Sequence, residues 1–497
     1  MAAFVVKTLG CKVNQYDSCA IASALTEAGL EPIRQGRSAR EADLVVVNTC
    51  CVTATAMRKS RQAVRRVVRN HPGAFVFVVG CYSDYDAATM RRILRELGVS
   101  PRRGATAGYH DDLAAAVKEV ARRVIEGREI AYSHSLGSFS LSDLGGNDTS
   151  MSVDIPVVGG APGGSLHTYI RKRRKQAVKN NLPAARGLKG IDRFEGHQRA
   201  FVKVQDGCDA FCSYCVVPYT RWKVWSRSMG EVEDECRRLL AAGHKEIVLC
   251  GIFLGAFGRR TALRSRWRGP SKLPELLSRV ASIEGLWRVR MSSLEPGDVT
   301  DELIAVCREA PQVAPHFHLP LQSGSQRIVG RMNRQYTVDE YRRTADRLKA
   351  ALDRPAITTD IVVGFPGESE ADFAETLAVA RYCGFAKIHA FPFSPVAGTA
   401  AWTYRHEAPP AAVVKERLAR LSAIEAELAD AYRRGLVGGS MEGLIERCRP
   451  GRPGQHRAMT DRYQTVLFEG DGVKAGDVVR LRVTGVRREG LSGLIAG

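Results

Sequence analysis

Short apolar runs rich in β-branched residues alternate with stretches of helical spacing along most of the chain. Residues 4–8, 43–48 and 75–79 are of the buried-strand type, and residues 15–29 and 54–70 between them repeat apolar positions at helical intervals. The order β-α-β-α-β predicts a parallel sheet with right-handed crossovers. Further strand-like runs at 201–205, 245–250, 287–291, 316–319, 357–363 and 386–391, separated by helical stretches, predict six β/α units of a partial barrel. Runs at 462–468 and 477–483 alternate apolar with polar residues between Gly-containing turns, the pattern of a small antiparallel barrel. The fold class is therefore α/β, divided as an N-terminal parallel α/β domain (1–133), a linker (134–198), a partial (β/α)6 barrel (199–434) and a C-terminal β-barrel (435–497). The linker is rich in Ser and Gly over 134–168. From Arg171 to Arg193 it is strongly basic with one acid, Asp192, a run that reads as a solvated face or as a holder of phosphates.

Each of the first three strands is followed at once by cysteine: Cys11, Cys50 and Cys81. Parallel strands put these thiols on one edge, and ligands of open parallel sheets bind beyond the carboxyl ends of the strands. Any one of them reads equally well as a small buried hydrophobe, but three in the same loop position favour an iron–sulfur cluster or zinc. Cys51 faces away from Cys50 on an extended backbone and reads as a bystander or spare ligand, while Cys19 in the first helix reads as packing. A second set, Cys208, Cys212 and Cys215, follows the strand 201–205 and supplies three thiolates within eight residues. Three ligands on a four-iron cluster leave one iron open, the mark of a reactive rather than structural site, and zinc is the weaker alternative without a nearby fourth ligand. Cys236, Cys250, Cys307, Cys383 and Cys448 are most simply packing residues.

Composition narrows the class further. Apolar residues make up 44% and charged residues 25%, an ordinary globular balance without a transmembrane run. The 13 cysteines are an odd number in a chain whose start has no export signal, which argues against a disulfide framework and for a cytoplasmic protein. The 73 Lys+Arg exceed 53 Asp+Glu, a net charge of +20 that favours a polyanionic partner, nucleic acid before a small acidic substrate, though charge alone does not choose between nucleic acid and an anionic membrane.

The C-x-x-x-C-x-x-C loop at Cys208 closely resembles that of the radical S-adenosylmethionine superfamily. Such enzymes cleave the cofactor to a 5′-deoxyadenosyl radical that abstracts hydrogen. The loops after the barrel strands agree: Gly251 to Gly255, Ser292 to Pro296, Pro320 to Gly324, Gly364 to Glu368 and Phe393 to Pro395. Tyr214, Gly251, Ser292, Ser293, Glu295, Gln322 and Ser323 are the candidate cofactor contacts. Together with Leu9-Gly-Cys-Lys-Val-Asn14, Asn48-Thr-Cys50, Val79-Gly-Cys81-Tyr82, Arg290-Met-Ser-Ser-Leu-Glu-Pro296 and Leu319-Pro-Leu-Gln-Ser-Gly-Ser325, the chain resembles the methylthiotransferase family over nearly its whole length.

That resemblance implies an auxiliary 4Fe-4S cluster on Cys11, Cys50 and Cys81, a radical-generating 4Fe-4S cluster on Cys208, Cys212 and Cys215, and S-adenosylmethionine as cofactor. Leu-Gly-Cys-Lys-Val-Asn is similar to the branch that inserts a methylthio group at C2 of threonylcarbamoyladenosine, 3′ of the tRNA anticodon. The alternatives are the isopentenyladenosine branch, the branch modifying a ribosomal-protein aspartate, and a non-catalytic iron–sulfur RNA-binding protein. The implied partners are the tRNA anticodon stem-loop and an electron donor such as a flavodoxin or ferredoxin. The sulfur donor is unspecified, no membrane is involved, and a monomer is expected. The C-terminal barrel resembles a TRAM domain; Arg462 and Tyr463 read equally as residues that pair with or stack on RNA and as strand-face residues. Phe253, Asp84 and Val396 depart from the family pattern.

Overall fold

The structure is a computed structural model that describes residues 1–33, 41–100, 103–109, 112–127, 188–446 and 454–496. The Ser/Gly-rich stretch, most of the basic linker and Cys448 lie outside the described residues. Two units are present: Met1–Ile191 with Tyr214–Lys223 and Ser394–Trp402, and Asp192–Ser213 with Val224–Phe393 and Thr403–Gly497.

In the first unit, β1 (Ala3–Thr8), β2 (Glu31–Pro32), β3 (Leu44–Thr49), β4 (Phe75–Gly80) and β5 (Gly104–Ala107) form a parallel sheet in the order β2-β1-β3-β4-β5. Alternate side chains of a strand point to opposite faces. Phe4, Leu44, Val46 and Phe77 therefore pack with Ile21 and Leu25 of α1 (Lys12–Glu27) and Val117 of α4 (Leu113–Ile125). Val45, Val47, Val76 and Val78 pack with Val64 of α2 (Ala54–Asn70) and Met90 of α3 (Cys81–Glu96). The predicted helix at 54–70 has those bounds, whereas α1 starts at Lys12, directly after Cys11. The strand order turns between β1 and β3, whose following helices cover opposite faces, the place where open parallel sheets bind ligands at the carboxyl ends of their strands.

In the second unit all six predicted barrel strands form: β6 (Arg199–Asp206), then, after the short antiparallel β7 (Trp225–Ser226), β8 (Glu246–Gly251), β9 (Arg288–Met291), β10 (His316–His318), β11 (Ala356–Val363) and β12 (Lys387–Pro392). Pairing runs β7-β6-β8-β9 and β10-β11-β12. The seam between β9 and β10 is crossed by a Leu294 N–H to His318 carbonyl bond of 3.0 Å and a Val289–Val313 bridge.

The chain then closes a small barrel from β13 (Ser440–Ile445), β14 (Gln455–Thr460), β15 (Thr465–Glu469), β16 (Val478–Arg487) and β17 (Gly490–Ile495), around Met441, Ala458, Val466, Phe468, Leu481 and Leu491. It departs from a purely antiparallel design at one place: β15 and β17 pair in parallel.

Arg462 and Tyr463 lie in the turn between β14 and β15 rather than on a strand face. Tyr463, at φ 58°, stacks on His316 with ring centroids 4.8 Å apart, and the guanidinium groups of Arg199 and Arg290 lie 5.3 and 5.0 Å from its ring centroid. Arg462 donates to the Asp353 and Arg354 carbonyls at 2.9 and 3.2 Å. Both side chains dock the small barrel onto the amino ends of the partial-barrel strands. Arg290, 2% exposed, anchors the contact by donating to the Thr460 and Asp461 carbonyls at 3.0 and 2.8 Å and to Glu246 at 3.1 Å. Glu246 is fully buried, so Arg290→Ala leaves a carboxylate and two carbonyls short of donors. Its expected cost is about 3–5 kcal/mol in denaturant unfolding of the unit, and a loss under about 1 kcal/mol would contradict this anchoring role.

Candidate functional site

Cys11, Cys50 and Cys81 stand at the carboxyl ends of β1, β3 and β4, three neighbouring strands. Two glycines make the turns possible. Gly10 (φ 110°) and Gly80 (φ 102°) occupy backbone conformations that side chains resist, and a Cβ on Gly80 would lie 2.4 Å from Asn48 Oδ1. Asn14 ties the loops together: its Nδ2 donates to the Leu9 and Thr49 carbonyls at 2.9 and 3.0 Å, and its carbonyl accepts from Asn48 Nδ2 at 2.9 Å. Ser60 of α2 accepts from Cys50 N and donates to Cys50 O, fixing that loop from the other side.

The cation at this edge is Arg221, from the segment Tyr214–Lys223 of the same unit. It is 3% exposed, and its Nε donates to Cys81 Sγ at 3.4 Å. One Nη reaches Asp17 at 2.7 Å and Asn14 Oδ1 at 3.2 Å, while the guanidinium lies 3.6 Å from the Tyr109 ring centroid. Burial pushes the Cys81 thiol up to about 12 and raises Cys50, the neighbouring thiols add to both shifts, and Arg221 opposes them. Cys11 is exposed, whereas Cys50 and Cys81 are buried where bare thiolates are disfavoured yet a cation reaches sulfur, an arrangement that suits thiolates neutralised by iron.

Cys51 is fully buried in the α2/α3 core, its Sγ 3.3 Å from the Cys81 carbonyl. Burial is the main cause that raises its thiol, with Cys81, Cys50 and Cys215 adding, so it packs as a neutral thiol. Cys236, Cys250, Cys307 and Cys383 are buried, as their packing role requires. Of the departures from the family pattern, Val396 is core, and Asp84 accepts from Tyr109 N at 2.7 Å.

In the second unit, the segment after β6 is held by a turn that sequence reasoning did not single out. Ser213 N and Oγ donate to the Met332 and Arg331 carbonyls, both at 2.9 Å. Asn333, at φ 55°, donates to the Phe211 carbonyl at 2.9 Å. Arg334 donates to Cys212 Sγ at 3.1 Å and pairs with Glu295 at 2.8 Å, and Arg264 takes the other Glu295 oxygen at 3.1 Å. Cys212 is raised by burial and by Glu295, and Arg334 pulls it back down. Asp209 accepts from Thr261 and Ala262 N, so the loop after β8 also braces the cysteine segment. The only advance signal was two arginines flanking a Met-Asn pair, a pattern that by itself says turn. Cys215 and Tyr214 fall in the segment grouped with the first unit.

The other candidate contacts separate into two kinds. Ser292 is buried at the end of β9 with a hydroxyl that has no partner among the described residues, and the Gln322 side chain likewise makes no hydrogen bond among them. Both are available to a ligand. Ser293 is exposed. Gly251 makes room for Gln205, whose Nε2 donates to the Asp206 and Gly207 carbonyls at the head of the cysteine segment. Glu295 is occupied by two arginines, and Ser323, fully buried, is turned inward to Thr376 and Ser325 N. These last two act on the protein's own loops.

No three Cys, His, Asp or Glu side chains converge as a single metal ion requires among the described residues. A cubane cluster, in which each thiolate meets a different iron, does not need that convergence. A cysteine triplet of this spacing, opening the loop after the first strand of a six-stranded β/α partial barrel, defines a radical S-adenosylmethionine enzyme.

Comparison with known proteins agrees. The profile described as "Radical SAM superfamily" matches residues 202–380, and the one described as "Uncharacterized protein family UPF0004" matches 3–99. The chain is 31% identical to threonylcarbamoyladenosine tRNA methylthiotransferase MtaB of Bacillus subtilis, over 97% of this chain and 94% of that protein. It is 32% identical to tRNA-2-methylthio-N(6)-dimethylallyladenosine synthase of Erythrobacter litoralis, over 98% and 96%. Among solved structures, the radical S-adenosylmethionine methyltransferase TsrM of Kitasatospora setae, with cobalamin and a [4Fe-4S] cluster bound, matches with a TM-score of 0.51 and 15% identity, over 80% of this chain and 74% of that one, a likeness of fold. The chain belongs to the radical S-adenosylmethionine methylthiotransferase family that acts on tRNA, and as such it is a transferase that uses 4Fe-4S clusters and S-adenosylmethionine.

Proposed function

We propose that the protein is a tRNA N6-L-threonylcarbamoyladenosine methylthiotransferase, acting at C2 of the modified adenosine 3′ of the anticodon. The observation that carries this reading is the segment Leu9-Gly-Cys-Lys-Val-Asn14, similar to the threonylcarbamoyladenosine branch. The overall identities to relatives of the two tRNA branches, 31% and 32%, leave the choice to such local sequence. In this reading Cys11, Cys50 and Cys81 hold the auxiliary cluster, and Cys208, Cys212 and Cys215 hold the radical-generating one. When bound, the two clusters supply an electron to S-adenosylmethionine and sulfur to the substrate, a radical route that an inert C–H carbon requires.

The protein's own work is to hold and to exclude. Arg221 sets the charge at the auxiliary edge and Arg334 at Cys212, while Glu295 and Arg264 keep Arg334 in place. Ser292 and Gln322 offer free hydrogen-bonding groups to the cofactor's polar parts. The target base must be splayed from its neighbours to reach such a site. The small C-terminal barrel serves as a TRAM-type RNA-binding module, in keeping with the oligonucleotide binding of five-stranded barrels. The four-part division at about 133, 198 and 434 is kept as a division of labour. No helix among the described residues is long and apolar enough to cross a membrane. The cytoplasm, a monomeric state and a flavodoxin or ferredoxin as electron donor complete the proposal.

The deciding experiment offers the reconstituted, reduced enzyme anticodon stem-loops bearing either threonylcarbamoyladenosine or dimethylallyladenosine, with nucleoside mass spectrometry as readout. Methylthiolation of the first in clear preference to the second is expected. The opposite preference would assign the protein to the other tRNA branch.

A further inference from the structure

Helix α2 carries six cations, Arg58, Lys59, Arg61, Arg65, Arg66 and Arg69, and no acid in its 17 residues. By contrast, Arg122 on α4 is interleaved with Glu119 and Glu126, and Arg420 with Glu370 and Glu416. On α2, Arg61 donates to the Tyr82 hydroxyl at 2.6 Å and Arg65 reaches Glu96 at 4.0 Å. Arg58, Lys59, Arg66 and Arg69 are exposed and have no hydrogen bond or ion pair among the described residues. Glu96 also lies 3.7 Å from Arg92 of α3, which brings that arginine alongside the same face. Like charges three and four residues apart on a helix destabilise it by a few tenths of a kcal/mol per pair, so this row is not a stability device.

We propose that the exposed face of α2 binds the phosphate backbone of the RNA substrate. Three features favour RNA over a protein. Arg58, Gln62 and Arg66 follow at four-residue spacing with Arg69 beyond, a stripe about 16 Å long at 1.5 Å per residue. The exposed positions of the helix, Ala54, Thr55, Arg58, Lys59, Gln62, Arg66, Arg69 and Asn70, include no large apolar side chain, whereas a protein interface has an apolar core. Finally, α2 starts four residues after Cys50, so its basic row runs from the cysteine edge of the sheet along one face of the unit. Phosphates seated there place the RNA beside the auxiliary thiols without reading its sequence. The inference rests on the enzyme's action on tRNA and is independent of which modified adenosine it takes.

The test is fluorescence anisotropy of a labelled anticodon stem-loop titrated with reconstituted holoenzyme at several salt concentrations. In the variant Arg58→Gln/Lys59→Gln/Arg66→Gln/Arg69→Gln, affinity is expected to fall about tenfold or more, and the slope of log affinity against log salt to flatten by about 3, at roughly 0.7–0.9 per phosphate contact. Iron content and RNA-free cleavage of S-adenosylmethionine should stay at wild-type levels, showing that the variant folds. The charge-keeping variant Arg58→Lys/Arg66→Lys/Arg69→Lys should retain affinity and slope. An unchanged slope in the glutamine variant overturns the proposal, as does normal RNA binding combined with slowed reduction by an acidic flavodoxin, which would give the face to an electron donor. A wild-type enzyme that binds no tRNA stem-loop would overturn the tRNA reading itself, a failure separate from that of the α2 face.

Discussion

Replacing Cys11, Cys50 and Cys81 together with alanine is expected to lower iron and acid-labile sulfide, after anaerobic reconstitution, from roughly eight of each per chain to roughly four. The three thiols end three adjacent strands, and in the proposed function they hold one cluster. Cys208, Cys212 and Cys215 sit on a separate, tightly spaced segment and should keep their own cluster. Function should divide the same way. Cys208→Ala is expected to abolish cleavage of S-adenosylmethionine, and Cys11→Ala to spare cleavage while ending sulfur insertion. Cys51→Ala, which removes a buried neutral thiol, should leave the metal content unchanged. About four irons in both the wild type and the triple variant would remove the auxiliary cluster from these residues, and methylthiolation that survives in Cys11→Ala would overturn its role.

Arg221→Met should have two separable effects. The first is on stability: Asp17, buried at 3% exposure, loses its ion-pair partner at 2.7 Å, a change that costs about 3–5 kcal/mol when one member of a buried pair is removed. The second is electronic. A cation beside a ligand sulfur stabilises the more negative, reduced state of whatever metal group the sulfur holds, so its removal should lower the midpoint potential of the auxiliary centre in EPR-monitored titration. The double variant Arg221→Met/Asp17→Asn should recover most of the stability and none of the potential. A potential that returns along with the stability would reduce Arg221 to a packing role. Arg221 follows Cys215 by six residues, and both lie in the segment Tyr214–Lys223 of the first unit.

What could be read in advance has a common physical basis. Strands β1, β3 and β4 and the six barrel strands are local in origin: a run of β-branched residues bounded by turns states its conformation within a few residues, and a cysteine placed directly after it inherits the carboxyl edge of the sheet. The Cys208 triplet is local too, its spacing being its own signature. Elements with little apolar mass escaped: β5 is Gly-Ala-Thr-Ala, and β2 has two residues.

The electrostatic surroundings of the thiols were not legible. Arg221 meets Cys81 across 140 residues of sequence, and Arg334 meets Cys212 across 122. In sequence either arginine is one cation among the chain's 73 Lys+Arg, and only the folded chain decides which of them is buried against sulfur. The same distinction explains the misplaced expectations. Arg462 and Tyr463 open a strand-like run in the sequence until the small barrel seats them in a turn against Asp353 and His316, and Ser323 reads as a cofactor contact until the 370–383 helix covers it. The sequence by itself determined which segments become strands and where the thiols lie along them, because those are short-range preferences of the backbone. Tertiary structure alone decided which charges are desolvated beside those thiols and which polar groups stay free, because burial depends on residues that come together only when the chain is folded.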